Sequence, residues 1–343
     1  MELIKKLCDA HGISGYEDEV REIIRCEVEN YSDKVYTDKM GNIIAVKEGE
    51  DKKVMIAAHM DEIGFMVKHI EEQGFLRVTP IGGWFSQTVL NQRAIVHTDK
   101  GKIVGVFGCK PPHIMKEEER KKVIKIEDMF VDIGAESRDE AKDMGVEIGC
   151  PITIDRELVK LGENRITGKA IDDRVGVAAL IDVFREVKTD VTLYAVFTVQ
   201  EEVGLKGART SAFSINPDMA IALDVCVATD FPGVNANQEI KLGKGPAITV
   251  VDASGRGLIA HKKVLKLLRE TAEKYEIPYQ LEVGEGGTTD ATAIHLTREG
   301  IPSGVLSIPA RYIHTPVEVI DLRDYNNTVS LLKKSLERCE KYL

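Results

Sequence analysis

The sequence has no cysteines at CxxC spacing; its six, Cys8, Cys26, Cys109, Cys150, Cys226 and Cys339, stand singly along 343 residues. That pattern excludes a disulfide framework and a thiolate zinc site, and it predicts reduced, mostly buried thiols. An excess of basic charge is also missing. A formal net charge of −10 argues against non-specific nucleic-acid binding, which needs clustered Lys and Arg to release counterions. The densest basic stretch, Lys116 to Lys125, is interleaved with glutamates and reads as a solvated helix face. No apolar run is long enough for a signal peptide or a membrane span, and the opening MELIKKLCDAHGISG is charged within its first turn. A cytoplasmic protein with no membrane partner is the expectation. Internal repeats and low-complexity tracts are absent, and few glutamines beside many Lys and Glu hint at a thermophilic source.

What is present is the composition of a folded globular chain, 43% apolar and 30% charged. The length favours one large α/β domain carrying a smaller one. Apolar residues at helical spacing predict amphipathic helices over 2–10 and 16–30. Short β-type runs follow at Asn42–Val46 and Val54–Ala58. From about Gly64 to Asp155, closely spaced short strands with tight glycine turns predict a small inserted β-barrel or sandwich. Alternation of helix and strand then resumes. Asp173–Val187 reads as a helix, Val191–Val199 as a buried strand and Met219–Leu223 as another. A long helix around Leu258–Tyr275, a helix from Asp290 and the strand Gly304–Ile308 complete a mixed, largely parallel sheet flanked by helices.

In open α/β sheets ligands bind beyond the carboxyl ends of the strands. Four predicted strands end in residues that bind metals: Val54–Ala58 runs into His59-Met60-Asp61, Val191–Val199 into Glu201-Glu202, Met219–Leu223 into Asp224, and Gly304–Ile308 leads to His314. A fifth candidate is Asp172, beside Asp173, although either carboxylate could simply cap the helix that begins there. Two glutamates directly after an apolar strand cost desolvation unless a positive charge compensates. His11, His69, His97, His113, His261 and His295 lack such placement and read as ordinary histidines. Histidine and carboxylate without thiolate suit zinc, cobalt or manganese in a hydrolytic site. A two-metal site needs a bridging carboxylate, for which Asp172 is the candidate. Strand alternation lets Asp61 orient His59, and assigns Glu201 and Glu202 different tasks, one binding metal and one handling protons.

Taken together, His59-Met60-Asp61-Glu62-Ile63-Gly64, Asp172-Asp173-Arg174, Glu201 to Ala208, Ala222-Leu223-Asp224 and Arg311 to Pro316 resemble the dinuclear metalloaminopeptidases that include the tetrahedral and the glutamyl aminopeptidases. The likeness spans nearly the whole chain and takes in Asp132 to Ala135 and Gly286 to Asp290. It implies a zinc-peptidase type of fold, with a catalytic domain at 1–63 and 160–343 and a β-rich dimerisation domain at 64–159. It also implies that His59 and Asp224 hold one metal, Glu202 and His314 the other, and Asp172 both. Glu201 matches the general base and Asp61 the carboxylate behind the ligands, with a cis peptide after Asp172. Dimers of this family assemble into tetrahedral dodecamers. Cys150 departs from the pattern, standing where a polar residue is usual.

The expected chemistry is removal of N-terminal residues from peptides by two divalent cations, zinc or else cobalt or manganese, with Glu201 moving the proton of the attacking water. A deacylase or carboxypeptidase would use the same ligands on N-blocked substrates. A glycosidase would need two carboxyls facing each other across a sugar, about 5 to 9.5 Å apart. A non-catalytic binding protein would leave a complete ligand set unexplained. Substrate preference is expected in the loops at 235–260 and 284–290.

Overall fold

The computed structural model describes residues 1–234 and 240–343. Six strands position the site: β1 (Glu50–His59), β2 (Val191–Thr198), β3 (Met219–Val227), β4 (Ala247–Val251), β5 (Gln280–Val283) and β6 (Ser303–Arg311). β2, β1, β3 and β6 lie side by side in that order, all parallel, so their carboxyl ends open on one edge. His59 is in register with Thr198. His59 and Asp224 each lie two residues beyond the paired Ala57 and Ala222.

Antiparallel strands flank this parallel centre. The hairpin Lys34–Thr37 and Ile43–Lys47 borders β2, while Glu318–Asp321, Arg165–Gly168 and Val159–Leu161 extend the sheet beyond β6. β4 runs antiparallel along β6 and carries β5 parallel to itself.

Helices cover both faces, which is why the central strands are apolar on both sides. Along β1 the alternation is visible: Val54, Ile56 and Ala58 join the core beneath the helices Glu2–Asp9, Asp18–Val28, Ile171–Glu186, Lys262–Lys274 and Leu322–Leu336. Met55 and Ala57 face Lys206–Ile215 and Asp290–Ile294 on the other side. Along the chain between β1 and the helix Ile171–Glu186, the strands Gly64–Ile70, Leu76–Ile81, Arg93–Thr98, Gly101–Gly108, Phe130–Asp132 and Pro151–Ile154 close into an antiparallel barrel. Phe65, Phe107, Leu76, Val96, Val131 and Ile152 fill it.

Several elements depart from the sequence expectations. The edge strands after Val159 and the helices Lys206–Ile215 and Leu322–Leu336 carry no expectation. The helix expected over Leu258–Tyr275 begins at Lys262, where the ring Nδ1 of His261 caps it by accepting the Lys263 amide. Lys116–Lys125 contains only the four-residue exposed helix Glu117–Arg120. All six cysteines are free, but only Cys8, Cys226 and Cys339 are buried, because Cys26 lies on the outer face of its helix and Cys109 and Cys150 sit in barrel loops. Among the described residues no helix is long and apolar enough to cross a membrane.

Candidate metal centre

The strand ends bring the predicted donors together. His59, the last residue of β1, is buried, and its Nε2 lies 3.1 Å from Asp172 Oδ1. His314 Nε2 lies 3.4 Å from Asp172 Oδ2 and 3.2 Å from Glu202 Oε1. The Asp172 carboxylate therefore sits between the two imidazoles with one oxygen toward each. Donor atoms of His59, Asp172 and Glu202 all lie within 4.8 Å of one another. Asp224 and Glu201 line the same cleft, whose volume is about 550 Å³. Asp224 stands outside the tightest group, with its Oδ1 accepting the Val225 amide at 2.7 Å.

Asp172 is available because its neighbour takes the other task open to an aspartate there. The Asp172–Asp173 peptide is cis, and neither residue has helical backbone angles. Asp173 Oδ1 accepts the Gly176 amide at 3.1 Å, as a helix cap does. A Cβ at Gly176 would collide with that carboxylate, so the cap requires glycine.

Asp61 is fully buried and holds the ligands less through His59 than through the loop opposite. His59 Nδ1 lies 3.1 Å from the Asp61 carbonyl and 3.6 Å from its carboxylate. The carboxylate accepts the amides of Glu201 at 3.0 Å and Glu202 at 3.2 Å, and the Ser14 hydroxyl at 2.6 Å. β2 has already ended at Thr198, and Gln200 has φ +55°, so Glu201 and Glu202 lie in a turn. Strand alternation does not apply to them, and both line the cleft.

Glu318 is a supporting residue that the sequence did not single out. Its Oε2 accepts the Asp172 amide at 3.0 Å and its Oε1 the His314 amide at 2.8 Å, tying two candidate ligands by their backbones. A lone glutamate four residues after a histidine carries no signal of this. Asp290, by contrast, closes the Gly286 to Asp290 motif; its Oδ2 accepts the Thr198 hydroxyl at 2.5 Å. The remaining histidines stay apart: His295 bonds the Ala291 carbonyl, and His11 and His97 share the Thr153 hydroxyl.

The charges do not balance without a cation. Burial, together with neighbouring carboxylates, pushes Asp173, Glu201 and Asp224 well above the usual range, Asp290 up to about 6 and Glu318 up to about 8. Burial works against the charged imidazoles too, yet Glu201, Asp172 and Asp61 hold His59 well above its ordinary value, and Asp172 and Glu202 lift His314 to about 11. Asp173 Oδ2 and Asp290 Oδ1 are buried with no hydrogen-bond partner. So many desolvated carboxylates around two imidazoles form a site short of positive charge, and the donor set fits divalent cations. Binding would displace the imidazole protons.

An α/β sheet with a histidine and carboxylate cluster at its strand ends, joined to a small barrel, defines a peptide hydrolase of the metallopeptidase class. The chain belongs to the M42 glutamyl aminopeptidase family, whose model matches residues 41–331, and it is an aminopeptidase. It is 41% identical over 340 residues to a lysyl aminopeptidase of Pyrococcus furiosus, covering 98% of this chain and 96% of the relative. Aminopeptidase APDkam598 of Desulfurococcus kamchatkensis superposes with a TM-score of 0.94 at 49% identity, covering 98% of this chain and 94% of that one. The TET1 peptidase of Pyrococcus horikoshii, described as assembling into a tetrahedron or an octahedral shell, gives 0.89 at 34% identity over 98% and 99% of the two chains.

Proposed function

We propose that the chain removes the N-terminal residue of peptides with a free α-amine, using two divalent cations, zinc or else cobalt or manganese. His59 and Asp224 would hold one cation, Glu202 and His314 the other, and Asp172 both. The observation that carries this reading is the Asp172 carboxylate set between two imidazoles, one oxygen toward each. When bound, the cations would polarise the scissile carbonyl and acidify a water.

The residues of the chain do the rest. Glu201 takes the proton of the attacking water and passes it to the leaving amine; its carboxylate lines the cleft while its amide is pinned by Asp61. Asp61 and Glu318 fix the turn and the backbones that present the donors. A glycosidase is disfavoured because the Glu202 carboxylate is engaged by His314 rather than left facing Glu201 across a cleft.

Glu201→Gln keeps the shape and removes the base. It should retain bound metal and lose about 10² to 10⁴ in kcat by general-base precedent. Wild-type turnover in a metal-loaded Glu201→Gln variant would refute the assignment. Free-amine and N-acetylated aminoacyl-p-nitroanilides separate an aminopeptidase from a deacylase, which would cleave the blocked series.

The partition into a catalytic part, 1–63 and 160–343, and a self-associating part, 64–159, belongs to the same reading. Val104 and Val106 are exposed on a barrel strand and suit contact with a second copy. We place dimers at that surface and a dodecameric shell above them, in line with the TET1 relative.

A further inference from the structure

The helix Asp18–Val28 starts from Glu17, whose carbonyl accepts the Arg21 amide at 2.9 Å but whose side chain caps nothing. Ser, Thr, Asp and Asn are the residues that cap helices, so the helix does not account for this glutamate. Its carboxylate turns inward and is 2% exposed; Oε1 accepts the amides of Gly15 at 2.7 Å and Gln200 at 3.2 Å, and Oε2 lies 3.9 Å from the Arg21 guanidinium. Burial, and after it the Asp61 carboxylate, pushes Glu17 up to about 7, so the placement is costly. Gln200 opens the turn that presents Glu201 and Glu202. Three consecutive amides of this turn are thus received by two carboxylates, Gln200 by Glu17, and Glu201 and Glu202 by Asp61. Successive amides in a turn form a concavity for anions, and here the chain's own side chains fill it. The segment that carries Glu17 is itself fastened: Ile13 bridges Glu62, Ser14 donates to Asp61 at 2.6 Å, and Tyr16 Oη donates to the Gly149 carbonyl in the barrel at 3.3 Å.

We propose that Glu17 is a positioning residue for the reaction: by holding the Gln200 amide it fixes the turn from which Glu201 acts as base and Glu202 as metal donor. The inference rests on the roles given to those two residues above. Gln200 has φ +55°, a conformation that costs energy in any residue but glycine, and the bond to Glu17 offsets that cost. Without it the start of the turn is free to relax and carries the Glu201 side chain with it. A misplacement of about 1 Å in a reacting group costs about 10²-fold in rate.

Two substitutions separate this role from helix capping. Glu17→Asp keeps the charge and supplies a better cap, but draws the carboxylate back from Gln200 by one methylene; Glu17→Gln loses the charge yet keeps an acceptor oxygen within reach. On free-amine aminoacyl-p-nitroanilides, the metal-loaded full chain carrying Glu17→Asp should fall about 10- to 100-fold in kcat with KM little changed. Its metal-free form should bind zinc about tenfold more weakly by isothermal titration. Glu17→Gln should recover most of both. A folded Glu17→Asp with wild-type kcat and zinc affinity, or a Glu17→Gln as impaired as Glu17→Asp, overturns the assignment. Should Glu17→Asp fail to fold, hydrogen exchange of the wild-type chain at single-residue resolution decides: the Gln200 amide should be protected, and rapid exchange overturns the assignment. An unchanged Glu17→Asp beside an inactive Glu201→Gln removes the role of Glu17 alone, whereas wild-type turnover in Glu201→Gln removes the base on which that role rests.

Discussion

Asp61 shows how a residue that is not itself a candidate ligand can govern a site. Its two carboxylate oxygens receive the amides of Glu201 and Glu202 and the Ser14 hydroxyl, so one side chain sets where the proposed base and one metal donor point. Asp61→Asn removes an acceptor from this arrangement and should lower activity about 10- to 100-fold, as other supporting residues of metal sites do. Isothermal titration of the metal-free variant with zinc, beside steady-state kinetics, checks this. A loss of turnover with unchanged metal affinity would place the damage at Glu201; a loss of both would place it at Glu202. The residues proposed as donors were legible as candidates because apolar strands ended in or near them, and the fold brings them to one cleft. The support of Glu318 was not legible, because it acts on backbone amides brought together only by the folded sheet. The pairing of Asp61 with His59 was read from alternation, whereas the folded loop takes most of that carboxylate for Glu201 and Glu202.

At the scale of elements, runs buried on both faces announced themselves and half-buried edges did not. β2, β3, β6 and the part of β1 from Val54 are largely apolar segments, and their existence was readable; the charged start of β1, Glu50 to Lys53, and Val159–Leu161, exposed throughout, look like loop. The seam between barrel and sheet is a further element that only the fold reveals. The Thr153 hydroxyl lies 2.6 Å from His11 Nδ1 and 2.9 Å from His97 Nε2, with the rings 4.9 Å apart. Burial, then Lys169 and Lys102, lowers His11 to about 3; burial and Lys102 lower His97 to about 4, while Glu19 and Glu62 oppose only weakly. Because the unfolded chain takes up protons near 6.5 and the folded seam does not, this contribution is complete above that pH. It is lost as pH falls from about 6.5 toward 4. Melting temperature measured across that window should fall with acidification. The decline should be shallower in a His11→Asn, His97→Gln double variant; parallel curves would show that the seam does not titrate as described.

For the whole molecule, the cluster of buried carboxylates predicts that metal stabilises the fold as well as enabling the reaction. Chelation should abolish activity and lower the melting temperature. Zinc at about 100 times its dissociation constant should restore about 2.7 kcal/mol by mass action. Differential scanning calorimetry of the apo and reloaded protein tests this, and an unchanged transition would mean that the metals bind too weakly to matter for stability. Sedimentation velocity should give a particle far larger than the 38.0 kDa chain, and Val104→Lys with Val106→Lys should reduce it. Finally, the proposed donors run from His59 to His314, with the whole barrel threaded between Asp61 and Asp172. Chain segments leave the ribosome in order, so the first donor is made long before the last, and its partners across the sheet are distant contacts that form slowly. A growing chain that has not reached His314 lacks one of the proposed donors, so on this reading activity appears only when synthesis is nearly done.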